Sequence, residues 1–250
     1  MKIGGFRACS KTDYPDREAA VIFTQGCNWR CPYCRSACLV VPEAFGEPIP
    51  EGRVLSYLQA LAPRRKAVVV SGGEPTIHAD LPNFLSDLRE LGLTIKLDTN
   101  GSNPEMLRRI FQNNLVDYVA MDVKSPYTSY SQAAGKRVEA DAIRTSIWVV
   151  KHSGIPYEFR TTVIPGLHTV NELKEIGNLV RGAEKLVLQG YDSAHAMRPD
   201  FRNRVAFTRK TLEGMGKFFS RKVRKFEVRG TDQAASVPDP QSLVEEEIAV

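Results

Sequence analysis

The chain has no apolar run close to the about 18 residues that a membrane-crossing helix needs. Its opening, MKIGGFRACSKTDYPDR, holds no apolar stretch of the kind a secretory leader requires. The cytoplasm is therefore the expected compartment. No Ser/Gly-rich linker breaks the sequence, so one domain over residues 1–230 is expected. A tail, 231–250, ends in SLVEEEIAV. Histidine is sparse: His78, His152, His168 and His195 have no ligand spacing among them. Each reads as a surface or packed residue rather than a metal ligand. Charge of neither sign dominates, at a formal net +5 spread along the chain. The basic run from Lys217 to Arg229 lacks the interleaved stacking aromatics of a nucleic-acid platform. It reads as a solvated helix face followed by a strand, and no nucleic-acid or membrane partner is expected. Five cysteines, an odd number, do not suit a disulfide framework. There is no second cysteine cluster, so no extra electron-relay domain is expected.

What the chain does have is three cysteines in one short loop. In GCNWRCPYC, Cys27, Cys31 and Cys34 are separated by three residues and then two. Thiolates at that spacing hold soft metals and iron–sulfur clusters. A closed 4Fe–4S cluster takes four cysteines. Three leave one iron with an open position, and an open metal position is where chemistry occurs. Cys38 follows after three more residues, so a closed four-cysteine site, zinc or ferredoxin-like, is the competing reading. Trp29 is expected to shield the site from water, and Cys9 to be structural.

The rest of the chain alternates β-like and α-like stretches. Apolar, β-branched runs at 19–24, 67–70, 94–97, 118–121, 157–163 and 185–188 read as buried parallel strands, with a weaker one at 225–228. Helical spacing falls between them, at 54–61, 138–152, 170–180 and 207–219, and in two apolar stripes. One stripe, Leu81 to Leu91, follows Asp80 as N-cap; the other, Met106 to Phe111, follows Asn103 and Pro104. Such repetition implies a partial (β/α)6-type TIM barrel, an α/β fold whose active site lies at the C-terminal rim of its strands.

Polar motifs stand just after the expected strands: QGC with the cysteine loop, Ser71-Gly72-Gly73-Glu74-Pro75, Asp98-Thr99-Asn100-Gly101, Asp122-Val123-Lys124, Ile164-Pro165-Gly166 after Arg160, and Gln189-Gly190-Tyr191-Asp192. On one rim they converge on one pocket. Gly72 and Gly73 allow close backbone approach, and Glu74 offers an acceptor for an ammonium group. Asp98 suits ribose hydroxyls. Lys124 suits a carboxylate, with Asp122 orienting it or binding a cation. Arg160 is either a planar anion clamp or a structural partner. Together they describe a zwitterionic ligand with an amino group, a carboxylate and a ribose.

These residues resemble the radical S-adenosylmethionine (SAM) superfamily. The cysteine loop resembles its signature and SGGEP its second motif. Within it, TDYPDREAAVIFTQGCNWRCPYC, VVVSGGEPT, LDTNGSNPEMLRRI, LVDYVAMDVKSPYTSY and RTTVIPG are similar to the glycyl-radical-enzyme activases, above all those of anaerobic ribonucleoside-triphosphate reductase. The resemblance implies that Cys27, Cys31 and Cys34 hold a 4Fe–4S cluster whose open iron chelates SAM. One electron then cleaves the sulfonium bond, and the 5′-deoxyadenosyl radical takes hydrogen from a glycine of the partner. It further implies Gly72, Gly73 and Glu74 at the methionine amino group, and Asp98, Thr99, Asn100 and Lys124 at ribose and carboxylate. Tyr33 would lie near the adenine, and a monovalent cation on Asp98 and Asp122. Lys124 and Arg160 are the expected catalytic side chains, and reduced flavodoxin or ferredoxin the expected reductant. Arg35-Ser36-Ala37 replaces the His-Asn-Pro of many activases, Asp16 a common glycine, and Tyr191-Asp192 lies where a related activase has histidine. None of these changes removes a cluster ligand. The 7-carboxy-7-deazaguanine synthases share GGEP, Thr-Asn-Gly and Asp-Val-Lys-Ser-Pro, so a small-molecule radical SAM enzyme is the second reading. A non-enzymatic metal-binding or electron-transfer protein is the third.

Overall fold

The computed structural model describes residues 1–61 and 66–230. The tail expected over 231–250 lies outside the described residues. Eight strands form a single sheet in chain order: β1 (Ile3–Tyr14), β2 (Arg17–Thr24), β3 (Ala67–Gly72), β4 (Thr94–Thr99), β5 (Tyr118–Asp122), β6 (Tyr157–Thr162), β7 (Lys185–Gln189) and β8 (Lys225–Arg229). From β2 to β8 every neighbouring pair is parallel. The sheet does not close on itself. Its seven parallel strands are the apolar runs read from the sequence.

β1 is the strand that the sequence pattern did not announce. It pairs antiparallel with β2, with register shifts along its length. Its glycines and its Ser-Lys-Thr-Asp stretch blur the alternation that marks a strand. The β1–β2 connection is a tight turn with Asp16 at φ 58°.

The helices are α1 (Ala37–Val40), α2 (Glu51–Leu61), α3 (Leu81–Glu90), α4 (Pro104–Gln112), α5 (Tyr130–Ala134), α6 (Ala140–Lys151), α7 (Val170–Leu179), α8 (Pro199–Arg202) and α9 (Arg209–Gly216). α4 starts as its sequence demands: Asn103 Oδ1 accepts from the Met106 amide and Pro104 fills the first turn. α7 starts with a full capping box between Thr169 and Glu172. Asp80 does not cap α3. Its carboxylate turns instead to the α-amino group of Met1, 2.5 Å away, a partner with a full positive charge where the helix N-terminus offers only a partial one. The basic run 217–229 is less solvated than its composition suggests. Phe219 is fully buried and stacks on Phe226, with ring centroids 5.6 Å apart.

The two faces of the sheet differ. Outward side chains such as Ile95, Leu97, Val119, Met121 and Phe159 join the main core beneath the helices. On the inner face, β2 and β3 contribute a small apolar cluster of Ala19, Val21, Ala67 and Val69, closed by Tyr14. From β4 onward the inner face is charged. Lys96 and Asp98, Asp122 and Lys124, Glu158 and Arg160, and Glu227 and Arg229 are all opposite-sign pairs two residues apart, the spacing that keeps two side chains on one face of a strand.

Candidate active site

The cysteine loop springs from the end of β2 and is pinned from three sides. The Gly26 amide donates to Leu39 O at 2.7 Å, and the Arg30 amide to Ala134 O at 2.9 Å. The amides of Met197 and Arg198 donate to Cys34 O and Pro32 O, both at 2.9 Å. The Arg30 guanidinium folds back on the carbonyls of Cys27 and Trp29, 2.8 Å from each. A loop held this way does not depend on a disulfide for its shape, and none joins any cysteine among the described residues.

Cys27, Cys31 and Cys34 line one cleft of about 650 Å³, counting the space open to solvent. Tyr33, Ser71, Gly72, Gly73, Glu74, Asp98, Thr99, Asn100, Asp122, Lys124 and Arg160 line it too. The motifs Ile164-Pro165-Gly166 and Gln189-Gly190-Tyr191-Asp192, expected at the same pocket, are not among the lining residues; the Tyr191 hydroxyl donates to Phe201 O instead. Cys38, on α1, is not among the lining residues. Burial pushes the thiols up, Cys27 to about 11 and Cys31 to about 12, and raises Cys34 as well. Bare thiolates are thus disfavoured here until a cationic centre compensates them. Among the described residues no three His, Cys, Asp or Glu groups gather closely enough for a single metal ion.

Gly72 and Gly73 are dictated by backbone packed on backbone. Gly72 has φ 115°, and a Cβ there would lie 2.2 Å from the Thr24 nitrogen. A Cβ on Gly73 would lie 2.1 Å from Gly26 O. Through this contact the Gly73 amide donates to Thr24 O and the Glu74 amide to Gly26 O, both at 2.9 Å. The turn after β3 therefore sits on the root of the cysteine loop.

Glu74 does a different job from the one its motif suggested. It is 1% exposed, and its carboxylate is already occupied. Oε1 accepts from the amide and hydroxyl of Thr76 and from Thr99 Oγ1, and Oε2 accepts from the Asn100 amide at 2.6 Å. Burial pushes this carboxyl up while the four donors pull it down. Glu74 thus ties the β3 turn to the β4 turn, and its side chain is not an open acceptor for an ammonium group. Asn100, held by that tie, passes a bond from Nδ2 to Asn28 Oδ1 at 3.0 Å.

The floor of the cleft is a chain of alternating charges. Lys96 Nζ lies 2.5 Å from Asp98 Oδ1. Arg160 Nη1 lies 3.1 Å from Asp98 Oδ2, and its Nε 2.9 Å from Asp122 Oδ1. Asp122 Oδ2 then meets Lys124 Nζ at 3.1 Å. Burial opposes ionisation of Asp122, but Lys124 and Arg160 outweigh it and hold the carboxyl at about 2. Arg160 is therefore a bridge between two carboxylates. Its guanidinium stands between them, and a monovalent cation shared by Asp98 and Asp122 would have to displace it. Lys124 ends the chain nearest the cysteines, its Nζ 5.8 Å from the Trp29 ring centre. Trp29, which lines this side of the cleft, packs edge-on against buried Tyr130 behind it. Tyr33, 8% exposed, leans toward Phe201.

The sequence pattern of the Radical SAM superfamily matches residues 21–181. The chain belongs to the radical SAM superfamily. A protein of Methanocaldococcus jannaschii that bears the name of a glycyl-radical enzyme activating enzyme is 28% identical over 233 residues, 91% of this chain and 95% of that one. The 7-carboxy-7-deazaguanine synthase of Aquifex aeolicus is 33% identical over 81 residues, 31% of this chain and 34% of that one. Streptococcus suis SuiB, solved with its precursor peptide SuiA, shares the fold with a TM-score of 0.64 at 13% identity, over 84% of this chain and 48% of that one. The chain thus spans about half of SuiB.

Radical SAM enzymes use a 4Fe–4S cluster and SAM, and the residues here fit both. The fit rests on three thiols around one cleft, one buried and two half-buried, a glycine pair with no room for side chains, and a lysine at the free end of the charge chain. Sequence reasoning gave Ser71 no role of its own and missed several residues that brace this radical SAM site from behind. Ser71 Oγ donates to Asp98 at 3.1 Å. Lys96, 2% exposed, anchors the far side of Asp98. Glu158, fully buried, accepts both Nη groups of Arg229 at 2.7 and 2.8 Å. The opposite-sign pairs two apart were the signal that would have found Lys96, Glu158 and Arg229. His168 gave no such signal.

Proposed function

We propose that this radical SAM enzyme activates a glycyl radical enzyme by taking a hydrogen atom from one of its glycines. The observation that carries the reading is similarity along nearly the whole of both chains to a protein named for that role. It is supported by an open cleft, since a protein loop must reach the reacting centre. When bound, the cluster supplies the electron that cleaves SAM, and the fragment released abstracts the hydrogen. The chain's own residues bind and shield. Cys27, Cys31 and Cys34 hold the cluster. The backbone of Gly72, Gly73 and Glu74 lies against the methionine amino group. Asp98, Thr99 and Asn100 orient the ribose, Lys124 meets the carboxylate, and Tyr33 packs near the adenine. Arg160 holds Asp98 and Asp122 in register, while Trp29 and Tyr130 exclude water. The partner we favour is anaerobic ribonucleoside-triphosphate reductase, with reduced flavodoxin or ferredoxin as electron donor in the cytoplasm.

Anaerobic reconstitution with iron and sulfide, then dithionite and SAM, should yield 5′-deoxyadenosine. Addition of the reductase should produce the doublet of a glycyl radical by electron paramagnetic resonance. Absence of 5′-deoxyadenosine refutes the enzyme reading altogether. The local match to a 7-carboxy-7-deazaguanine synthase motivates a second reading, in which a small substrate occupies the cleft. 5′-Deoxyadenosine formation stimulated by a small-molecule substrate, with no glycyl doublet on any partner, would favour it.

A further inference from the structure

Lys124 stands where the chain turns out of β5, so the direction of that turn decides where its ammonium points. A buried imidazole holds the turn. His168, in the loop after β6, is 4% exposed. Its Nδ1 lies 2.9 Å from the Ile164 amide nitrogen, and its Nε2 2.8 Å from the Lys124 carbonyl oxygen. A backbone amide only donates and a carbonyl only accepts. Nδ1 must therefore be bare and Nε2 must carry the hydrogen, which makes the ring neutral. The His168 amide itself donates to Ile164 O at 2.9 Å, fixing the ring to its own loop. Beside it, Thr161 Oγ1 donates to Val123 O at 2.7 Å, so β6 and its loop grip two successive carbonyls of the departing β5 chain.

We propose that His168 is a positioning residue: its neutral Nε2–H tautomer fixes the main chain of Lys124 and thereby aims the Lys124 ammonium at the carboxylate of SAM. This rests on the reading of Lys124 as the carboxylate contact. Protonation would set a second N–H against the Ile164 N–H, so the brace exists only while the ring is neutral. The charged groups around the ring are Glu172 at the start of α7, and Lys124 with its partner Asp122 from β5. Glu172 is itself engaged by Ser129 Oγ and the Thr169 amide. Burial keeps the His168 pKa below its ordinary value, against the pull of its bond to Lys124 and of Glu172.

The test is SAM affinity of the cluster-loaded protein, measured by equilibrium titration alongside 5′-deoxyadenosine kinetics. His168→Phe fills the space without either bond. It should weaken SAM binding about tenfold, the scale of one buried hydrogen bond, with kcat at saturating SAM little changed. His168→Gln keeps a distal N–H donor and should recover most of the affinity. Wild-type affinity should fall in acid, below the ordinary imidazole range because burial holds the ring neutral, and that fall should be absent in His168→Phe. In the Lys124→Met background, His168→Phe should add no further loss. If Lys124→Met leaves affinity unchanged, the reading of Lys124 fails and the proposal with it. If Lys124→Met weakens binding while His168→Phe leaves affinity and its pH profile untouched, or, should Phe not fold, His168→Gln retains the wild-type fall of affinity in acid, the brace alone is refuted.

Discussion

Asp16 sits at φ 58°, the left-handed region that glycine enters freely and aspartate at some cost. Pro15 before it completes a turn of the kind that favours Pro-Gly. Asp16→Gly should therefore stabilise the fold by about 0.5 kcal/mol, the relief of strain exceeding the added freedom of the unfolded chain. A shift of the urea midpoint to lower concentration would show that the turn is not strained. The cysteines differ in the same local way. Cys31, buried in the cleft, should lose cluster absorbance and SAM cleavage together when changed to Ala. Cys38→Ala should retain both, because Cys38 does not line the cleft. Loss of the visible absorbance in Cys38→Ala would overturn that assignment. The three-cysteine loop was legible in the spacing; the place of Cys38 outside the cleft was not, because its spacing suits a fourth ligand equally well. The occupied carboxylate of Glu74 was not legible either, because its four donors come from residues that only the folded β3 and β4 turns bring together.

Between elements, the decisive contact is the β3 turn on the root of the cysteine loop. Gly73→Ala would place a methyl 2.1 Å from Gly26 O, with backbone on both sides and no side chain able to yield. The loop must then lift away from the β3 turn. The expected result is substoichiometric iron after reconstitution, with the far-UV circular dichroism of the sheet retained. Full iron loading would show that the loop tolerates the shift. The seven parallel strands were readable because each carries a buried apolar run on its helix-facing side. β1 was not, since Gly4, Gly5 and the polar residues 10–13 hide its pattern and its partner is fixed only by the turn at Asp16. Lys96 in β4, Glu158 in β6 and the Glu227–Arg229 pair in β8 went unread for a related reason. Parallel strands are expected to be apolar on both faces, and here one face is not.

Across the molecule, that inner face sets the response to acid. Asp122 and Glu227 are held at about 2, and Asp98 and Glu158 below their ordinary values. In each case the cationic partners outweigh burial. A carboxyl with a lower pKa folded than unfolded binds fewer protons in the native state. Its stabilisation is present above the ordinary carboxyl range and is lost as pH falls toward 2. Glu74, pushed up by burial, works in the opposite sense, and Glu227, a third exposed, contributes less because solvent screens it. The four lowered groups outnumber the one raised. The urea midpoint should be flat near neutral pH, fall gently below the ordinary imidazole range because burial holds His78 and His168 neutral, and drop steeply between about 4 and 2. Added salt should change it little, because the pairs on β4, β5 and β6 are shielded from ions. A midpoint that rises on acidification would contradict this balance. The same face bears on the thermal curve. Unfolding hydrates its carboxylates, ammonium groups and guanidinium groups, and hydration of polar surface lowers the heat capacity of unfolding where apolar surface raises it. A barrel lined by ion pairs should thus have a flatter dependence of stability on temperature than one of equal size filled with aliphatic layers, with weaker curvature toward both heat and cold.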